Sequence, residues 1–526
     1  MVRGTHPARK AWPAGGVRVT RRSILEPESW PGDEVRVLLA NPSALVYSQN
    51  YMTLEPLGLE RVAQAVREAG HEVRVVDLQV SRKKDFLRNL LAWRPEAVGF
   101  SLNYLANVPA VVDLTVETKN RLPGSFVFVG GHTASFIPRA LLECAGGAID
   151  CVVRGEGEVT APQLLQEVPD GRLDRVPGTV SAKGSGPAPT LIPESGLDLY
   201  RPERDLLPRR RRYFIGDLDP CASIEFSRGC PYHCSFCSAW TFYNRTYRKA
   251  SPAAVGEELA RIAEPNVFVV DDVALLDGQH GMAIADEVEK RKIRKRYFME
   301  TRCDTLIRNE EVFTRWKKLG LMYLFLGLEA LDDEGLETFH KNVTLSENLR
   351  ALEIARKLQV IVALNIIVSP QWDEARFRTI ERWAQEIPEI VHLTVMLPYP
   401  GTETWSAAAP HLITHDYRLF DTQHAVTPTR LPLPQFYEEF TRTQMVLFRK
   451  HLNKANLYGV LKNVLQSLVH GRTNLARSIL NFRSLPNPRR RYADHSRKAQ
   501  YTLRPPSEAS ASSADQPPRE LYIHKR

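Results

Sequence analysis

The sequence has no run of eighteen or more apolar residues, so no helix long enough to span a bilayer is expected. Near the N-terminus, Arg3, Arg9, Lys10, Arg18, Arg21 and Arg22 are not followed by an apolar stretch. Residues 1–33 therefore read as a disordered basic arm and not as a secretory signal. Cysteine is scarce: there are seven in 526 residues, an odd number. A disulfide scaffold is not expected, and a reducing cytoplasm fits better. Acid is missing altogether from residues 441–493, a stretch that holds eleven Lys and Arg. No G-x-G-x-x-G follows the first strand, which counts against a dinucleotide. There is no internal repeat, and no nucleic-acid partner is expected.

What is present is βα alternation, which predicts an α/β protein. Strands are expected at Val35–Ala40, Val73–Val76, Ala97–Ser101, Phe126–Val129 and Cys151–Val153, with a helix at Leu57–Ala69. They form a doubly wound parallel domain over 34–165, and ligands on such sheets sit beyond the carboxyl ends of the strands. Residues 166–220 read as a linker, with Arg209–Arg212 as a solvated basic loop. A second series has strands at Ser223–Phe226, Val267–Val270, Tyr297–Thr301, Tyr323–Leu328, Val360–Ile367 and Val391–Val395. Six strands with helices between them predict a partial (β/α)6 barrel over 221–433. Residues 434–485 read as a helical domain, wholly helical to 482, and 486–526 as a low-complexity, disordered tail.

Three cysteines, Cys230, Cys234 and Cys237, fall within eight residues as C-P-Y-H-C-S-F-C, just after the first barrel strand. Thiolates are the ligands of iron–sulfur clusters, and three of them leave one iron of a [4Fe–4S] cluster open to a small molecule. A zinc site, which usually needs a second ligand pair, or three structural cysteines are the alternatives. Cys221 and Cys303 read as buried small residues.

This motif, with Phe236 before its last cysteine, resembles the radical S-adenosylmethionine (SAM) superfamily. The resemblance implies that the open iron holds the amino and carboxylate groups of SAM and that the backbone at Phe236 contacts adenine. F-V-V-D-D (Phe268–Asp272), M-E-T-R-C-D (Met299–Asp304) and L-G-L-E (Leu326–Glu329) resemble the following strands, with Arg302 and Glu329 as SAM neighbours. The usual glycine motif of a later strand is replaced by N-I-I-V-S-P (Asn365–Pro370).

The N-terminal domain is similar to the cobalamin-binding domains that precede many such barrels. Ser101 and Asn103 of S-L-N, Gly130 and Gly131 of G-G-H, and Glu156 and Gly157 of R-G-E-G-E are the implied cobalamin contacts. The D-x-H-x-x-G that sets a histidine on cobalt in another cobalamin group is missing, so no such ligand is implied. Tyr104 and Leu105 are alternatives for covering the lower face.

Within this cobalamin-binding radical SAM family, the chain most resembles the hopanoid C-3 methylases. Residues 219–243, 267–274, 295–302 and 397–405 carry the likeness. It implies methylation of an unactivated sp3 carbon of a hopanoid through a 5′-deoxyadenosyl radical and methylcobalamin. Two other readings stay open: a methyltransferase or cyclase acting on an indole, peptide, phosphinate or tetrapyrrole, and an iron–sulfur sensor that is not an enzyme. An electron donor such as flavodoxin or ferredoxin is implied. Leu457, Leu461, Val464, Leu465 and Leu468, interleaved with Lys454, Lys462 and Arg472, have the spacing of an amphipathic helix. That pattern suits peripheral contact with the inner membrane face, or else packing on the barrel.

Overall fold

The computed structural model describes residues 34–43, 51–450, 461–482 apart from 463, 466, 467 and 470, and 487–503. Residues 1–33 and 504–526, read as basic arm and tail, lie outside these, as do Lys454 and Leu457.

The N-terminal sheet consists of β1 (Arg36–Asn41), β2 (Glu72–Asp77), β3 (Ala97–Ser101), β4 (Phe126–Gly130), β5 (Cys151–Val153) and β6 (Thr179–Ser181). Their order is 2-1-3-4-5-6, with the first five parallel and β6 antiparallel to β5. The central strands are apolar along their whole length because helices cover both faces. The order reverses at β1, so the carboxyl ends of β1 and β3 flank a crevice of the kind that takes ligands. β6 comes from the segment read as a linker, which is therefore part of the domain. In Arg209–Arg212, read as a solvated basic loop, Arg211 and Arg212 are exposed, but three of the four side chains also have partners. Arg210 pairs with Glu264 at 2.6 Å, Arg209 pairs with Asp85 at 3.2 Å, and Arg212 donates to the Val80 carbonyl at 3.1 Å.

The second sheet consists of β7 (Cys221–Ile224), β8 (Asn266–Val269), β9 (Arg296–Thr301), β10 (Leu321–Glu329), β11 (Ile361–Val368) and β12 (Ile390–Val395). All are parallel and in sequential order, and β7 and β12 are the two edges that do not pair. This is an incomplete six-stranded barrel. One face of each strand packs on the helices: Tyr297, Met299, Leu324, Leu326 and Leu364 are fully buried there. The alternate residues face the lumen.

An apolar interface joins the two bodies. Leu397, Trp405, Tyr417 and Phe420, beyond β12, share one core with Phe100, Leu105 and Val108 of the N-terminal domain. Helix Leu433–Lys450 lies on the barrel and buries Phe436, Tyr437 and Phe440. Helicity is not continuous to 482. A turn at Gly471, whose φ of 71° suits glycine, precedes a separate helix at Asn474–Phe482. Residues 487–503, assigned above to the tail, are also folded. Helix Pro488–His495 buries Arg491, which donates to Thr441, Gln423 and Gln444, and Leu503 is buried in the interface core. Their low apolar content hid this, because polar bonds hold the helix. No helix among the described residues is long and apolar enough to cross a membrane.

His424 fastens this last helix. Its Nδ1 lies 3.0 Å from Asp421, and its Nε2 lies 3.6 Å from Asp494 of the helix. Burial lowers its pKa, but the two aspartates prevail and raise it to about 9. A raised histidine adds stability below its unfolded value of about 6.5, and that stability is lost as pH rises through the folded value. The wild type should therefore lose stability to urea between pH 7 and pH 10, and His424→Gln should flatten that slope. Equal slopes in the two proteins would show that the pair does not hold the helix.

Candidate active site between two sheets

The three cysteines lie on the loop beyond β7, at the carboxyl end of the barrel. Gly229 starts the loop with a φ of 94°, and a side chain there would strike the Thr246 carbonyl. Its N–H donates to Asp272 at 2.9 Å. A two-stranded antiparallel ribbon, Ser227–Arg228 with Arg248–Lys249, frames the loop. The Cys237 N–H donates to the Cys234 carbonyl at 3.1 Å, and Trp240 Nε1 donates to the same oxygen at 2.9 Å. Burial, with smaller contributions from Asp272 and the neighbouring thiols, pushes Cys230 up to about 11 and Cys237 up to about 12. Thiols held protonated in this way at Cys230 and Cys237, with Cys234 buried between them in sequence, suit a metal that displaces their protons. Among the described residues, no three His, Cys, Asp or Glu side chains converge on a single metal ion. Cys221 and Cys303 are buried elsewhere.

Arg302, read from sequence as a SAM neighbour, is buried beside the cysteine loop. It donates to Asp304 at 2.8 Å, to the Lys341 carbonyl at 2.7 Å and to Cys234 Sγ at 3.6 Å, and its guanidinium lies 3.7 Å over the Tyr232 ring. Glu329 ends β10 with a φ of 68° next to a register shift, and its carboxylate is buried. It accepts from Lys341 Nζ at 3.1 Å and from Asn365 Nδ2 at 3.0 Å. A side chain at Gly327 would strike both Glu329 and Lys341, so L-G-L-E needs its glycine to make room for this pair. Asn365, from the strand that lacks the usual glycine, thus holds Glu329. Lys341 is buried, and nothing in its sequence context pointed to it. Phe236 packs edge-on against Phe339, at a centroid distance of 5.4 Å.

Opposite lies the carboxyl edge of the N-terminal sheet. Asn103 Nδ2 donates to Ser101 Oγ at 3.2 Å, and Asn103 Oδ1 accepts from the His132 N–H at 3.0 Å. Gly131, with a φ of 111°, leaves no room for a side chain against Asn103 and the Leu102 carbonyl. Ser101, Asn103, Gly130 and Gly131 are therefore brought together as one interlocked pair of loops. A large flat ligand fits this edge, because backbone and small side chains form it. Glu156 and Gly157 stand apart. Glu156 is buried and accepts from Arg228 at 2.7 Å and from Arg248 at 2.9 Å, while Gly157 packs its helix against Val62. The R-G-E-G-E acid is thus an inter-domain clamp.

The two edges meet. His132 Nε2 lies 2.7 Å from Ser238 Oγ, one residue beyond Cys237, and its ring stacks on Phe242 at 4.8 Å. Burial lowers its pKa to about 4, so the ring is neutral near pH 7. Tyr104 is 48% exposed, yet surrounding protein and Glu300 of β9 raise its hydroxyl pKa. Both facts hold for a ring standing in an internal cleft. Burial and Asp272 lift Glu300 itself to about 7.

Residues 46–165 match the B12 binding domain family, and residues 224–398 match the Radical SAM superfamily. The chain is 52% identical over 492 residues to the hopanoid C-3 methylase of Methylococcus capsulatus, covering 93% of this chain and 95% of that one. It is 27% identical to an uncharacterized methyltransferase of Pyrococcus horikoshii, over 70% of this chain and 82% of the other. In fold it resembles the radical SAM methyltransferase TsrM of Kitasatospora setae, solved with tryptophan and a SAM analogue, at a TM-score of 0.56 and 20% identity. That match covers 70% of this chain and 75% of the other. OxsB, solved with aqua-cobalamin and SAM, superposes with a TM-score of 0.54 at 20% identity, over 68% of this chain and 53% of that one. A three-thiol loop and a glycine-rich sheet edge facing each other across one cleft, together with these likenesses, show that the chain belongs to the cobalamin-binding radical SAM methyltransferases, in the branch of the hopanoid C-3 methylase.

Proposed function

We propose that this protein methylates C-3 of a hopanoid, an unactivated sp3 carbon. The observation that carries this reading is the 52% identity to the hopanoid C-3 methylase over nearly the whole of both chains. When bound, the cluster with SAM supplies a hydrogen-abstracting radical and cobalamin supplies the methyl group, chemistry that no side chain can perform. In this reading Cys230, Cys234 and Cys237 hold the iron. Phe236 bounds the adenine region, which its N–H and C=O, without a hydrogen bond among the described residues, are free to contact. Glu329, aimed by Lys341 and Asn365, orients SAM from the lumen side. Arg302 fixes the cysteine loop. Ser101, Asn103, Gly130 and Gly131 line the seat of cobalamin, and Tyr104 and His132 close the cleft against water. Electrons come from a small donor such as a flavodoxin or ferredoxin.

Exposed apolar residues on the C-terminal helices support a second proposal, peripheral docking at the inner face of the membrane. Leu461, Leu465, Leu468 and Val469 are exposed beside Lys462 in a region without acid. Such helices lie in the interface plane, and each basic residue contributes about 1 kcal/mol on an anionic surface.

Under argon, reconstituted enzyme with trideuteriomethyl-SAM, cobalamin and reductant should place one labelled methyl at C-3 of a hopanoid. Cys→Ala at 230, 234 or 237 should abolish both the iron–sulfur absorbance and the product. Product formation by a single cysteine variant would overturn the ligand assignment. Lys341→Met leaves a buried carboxylate without its cation, so it should lower stability by about 3–5 kcal/mol in urea. The double variant E329Q/K341M should recover part of that loss, and a K341M protein as stable as wild type would contradict the pairing. His132 is engaged by Ser238 and no D-x-H-x-x-G exists. The electron paramagnetic resonance of bound Co(II) cobalamin should therefore be unchanged when the protein is grown with 15N-histidine, whereas an altered nitrogen splitting would reveal a histidine on cobalt. Sedimentation with anionic liposomes should fall as salt rises, because the Debye length shrinks to about 3 Å at 1 M. Association indifferent to salt would leave these helices without a membrane role.

A further inference from the structure

Cys234 differs from the other two thiols of its loop. It is buried, whereas Cys230 and Cys237 are half-buried. Its backbone carbonyl accepts from the Cys237 N–H and from Trp240 Nε1. Its sulfur faces a cation: Arg302 Nη1 donates to Cys234 Sγ at 3.6 Å. Among the described residues, Cys234 is the one thiol of the three that accepts a hydrogen bond from a charged side chain. A guanidinium is not deprotonated in a protein. The contact is therefore a permanent positive charge, 5% exposed, against one sulfur of the motif.

Three further groups hold the guanidinium. Nε donates to Asp304 at 2.8 Å, and Nη2 donates to the Lys341 carbonyl at 2.7 Å. Tyr232, which lies between Cys230 and Cys234 in the motif, sets its ring 3.7 Å from the guanidinium and donates its hydroxyl to Asp304 at 3.0 Å. These bonds tie the loop to the end of β9 without the sulfur, yet Nη1 is aimed at it. A planar fork fixed in this way keeps a constant distance to Cys234, as a lysine on its flexible stem would not. When Cys234 binds iron, its sulfur is a thiolate, and the hydrogen bond is then charged on both sides and stronger. Away from water such an attraction is screened little. Hydrogen bonds to the sulfurs and net charge are among the factors that set the potential of an iron–sulfur cluster. Reduction takes one electron from the external donor, and part of that charge spreads onto the thiolates. A cation against one of them stabilises the reduced form more than the oxidised form. No proton follows the electron, because Arg302 is protonated throughout. Asp304 works in the other direction, since its negative charge offsets part of the cation.

We propose that Arg302 acts through Cys234 to raise the reduction potential of the cluster, which eases delivery of the electron that SAM cleavage consumes. This rests on the reading of Cys230, Cys234 and Cys237 as the cluster ligands. It gives Arg302 a role on the iron side of the site, separate from contact with SAM, and makes Tyr232 and Asp304 the residues that position it.

The full chain is reconstituted with iron and sulfide under argon and titrated with titanium(III) citrate. SAM and cobalamin are left out, so that a contact between Arg302 and SAM cannot enter the result. Electron paramagnetic resonance follows the reduced cluster. Arg302→Met should shift the reduction equilibrium at least tenfold toward the oxidised form, which is about 59 mV for one electron. Asp304→Asn keeps an acceptor for Nε but removes the negative charge, so it should shift the equilibrium several-fold the other way. A loop that is only loosened would move both variants in one direction. An R302M protein with full iron and the wild-type potential, or shifts of the same sign in R302M and D304N, would overturn the proposal. If R302M holds no cluster, R302K serves. Its charge remains, but it cannot span the sulfur, Asp304 and the Lys341 carbonyl at once, so its potential should fall below wild type while that of D304N rises. R302K and D304N on the same side of wild type would overturn the proposal. A wild type that takes up no four-iron cluster would sink the ligand reading and this inference with it, whereas an intact cluster with an unmoved potential sinks the inference alone.

Discussion

Arg228 is the residue on which the site depends. It stands one residue before the glycine that opens the cysteine loop, and its guanidinium is buried. It reaches Glu156 at 2.7 Å and Glu158 at 2.9 Å on the N-terminal domain, and Glu225 at 3.0 Å, three residues before it. Arg248 joins Glu156 from the other strand of the ribbon, and Arg61 joins Glu225 from the N-terminal side. Ions taken out of water are tolerated only when every one is matched, and removing one partner of such a set is strongly destabilising. The clamp therefore fixes one relative placement of the two bodies. The cysteine loop cannot shift without disturbing the acids that open the Gly157–Glu167 helix.

A second clamp of the same kind works from the other side. Arg204 pairs with Glu55 and Glu258 and donates to the Ser223 carbonyl at 2.7 Å on the first barrel strand. Between these polar clamps lies the shared apolar core that contains Leu105, Trp405 and Phe420. Hydrophobic burial supplies the attraction, which is not directional. The ion pairs supply the register. Together they bring the carboxyl ends of two unrelated sheets into one cleft, where His132 meets Ser238. Sheets of this kind offer ligands only their carboxyl edge, so facing edges are the arrangement that lets two large cofactors serve one substrate.

Much of this was legible in the sequence. The central strands of the N-terminal sheet are apolar along their length because helices cover both faces, and the strands end within two or three residues of where the βα alternation puts them. The three cysteines stand out in the sequence because they fall within eight residues. Roles that depend on distant partners were not legible. Glu156 sits in a glycine-rich loop of the type that lines ligands, and only Arg228, 72 residues away, reveals it as a clamp. That Arg302 also holds Tyr232, Asp304 and Cys234 could not be read from its own strand. Lys341 has no signature at all, since its partner Glu329 lies across a helix and a turn. Helix Pro488–His495 was missed because hydrogen bonds of Arg491 hold it, where an apolar stripe would have marked it.

The central claim is physical: one cleft, held by Arg228, faces the cysteine loop toward the glycine-rich edge. Electron paramagnetic resonance of protein carrying both the reduced cluster and Co(II) cobalamin tests this most directly. The account predicts that the two paramagnets broaden and speed the relaxation of each other's signals in the doubly loaded protein. Spectra that are the simple sum of the singly loaded forms would contradict it.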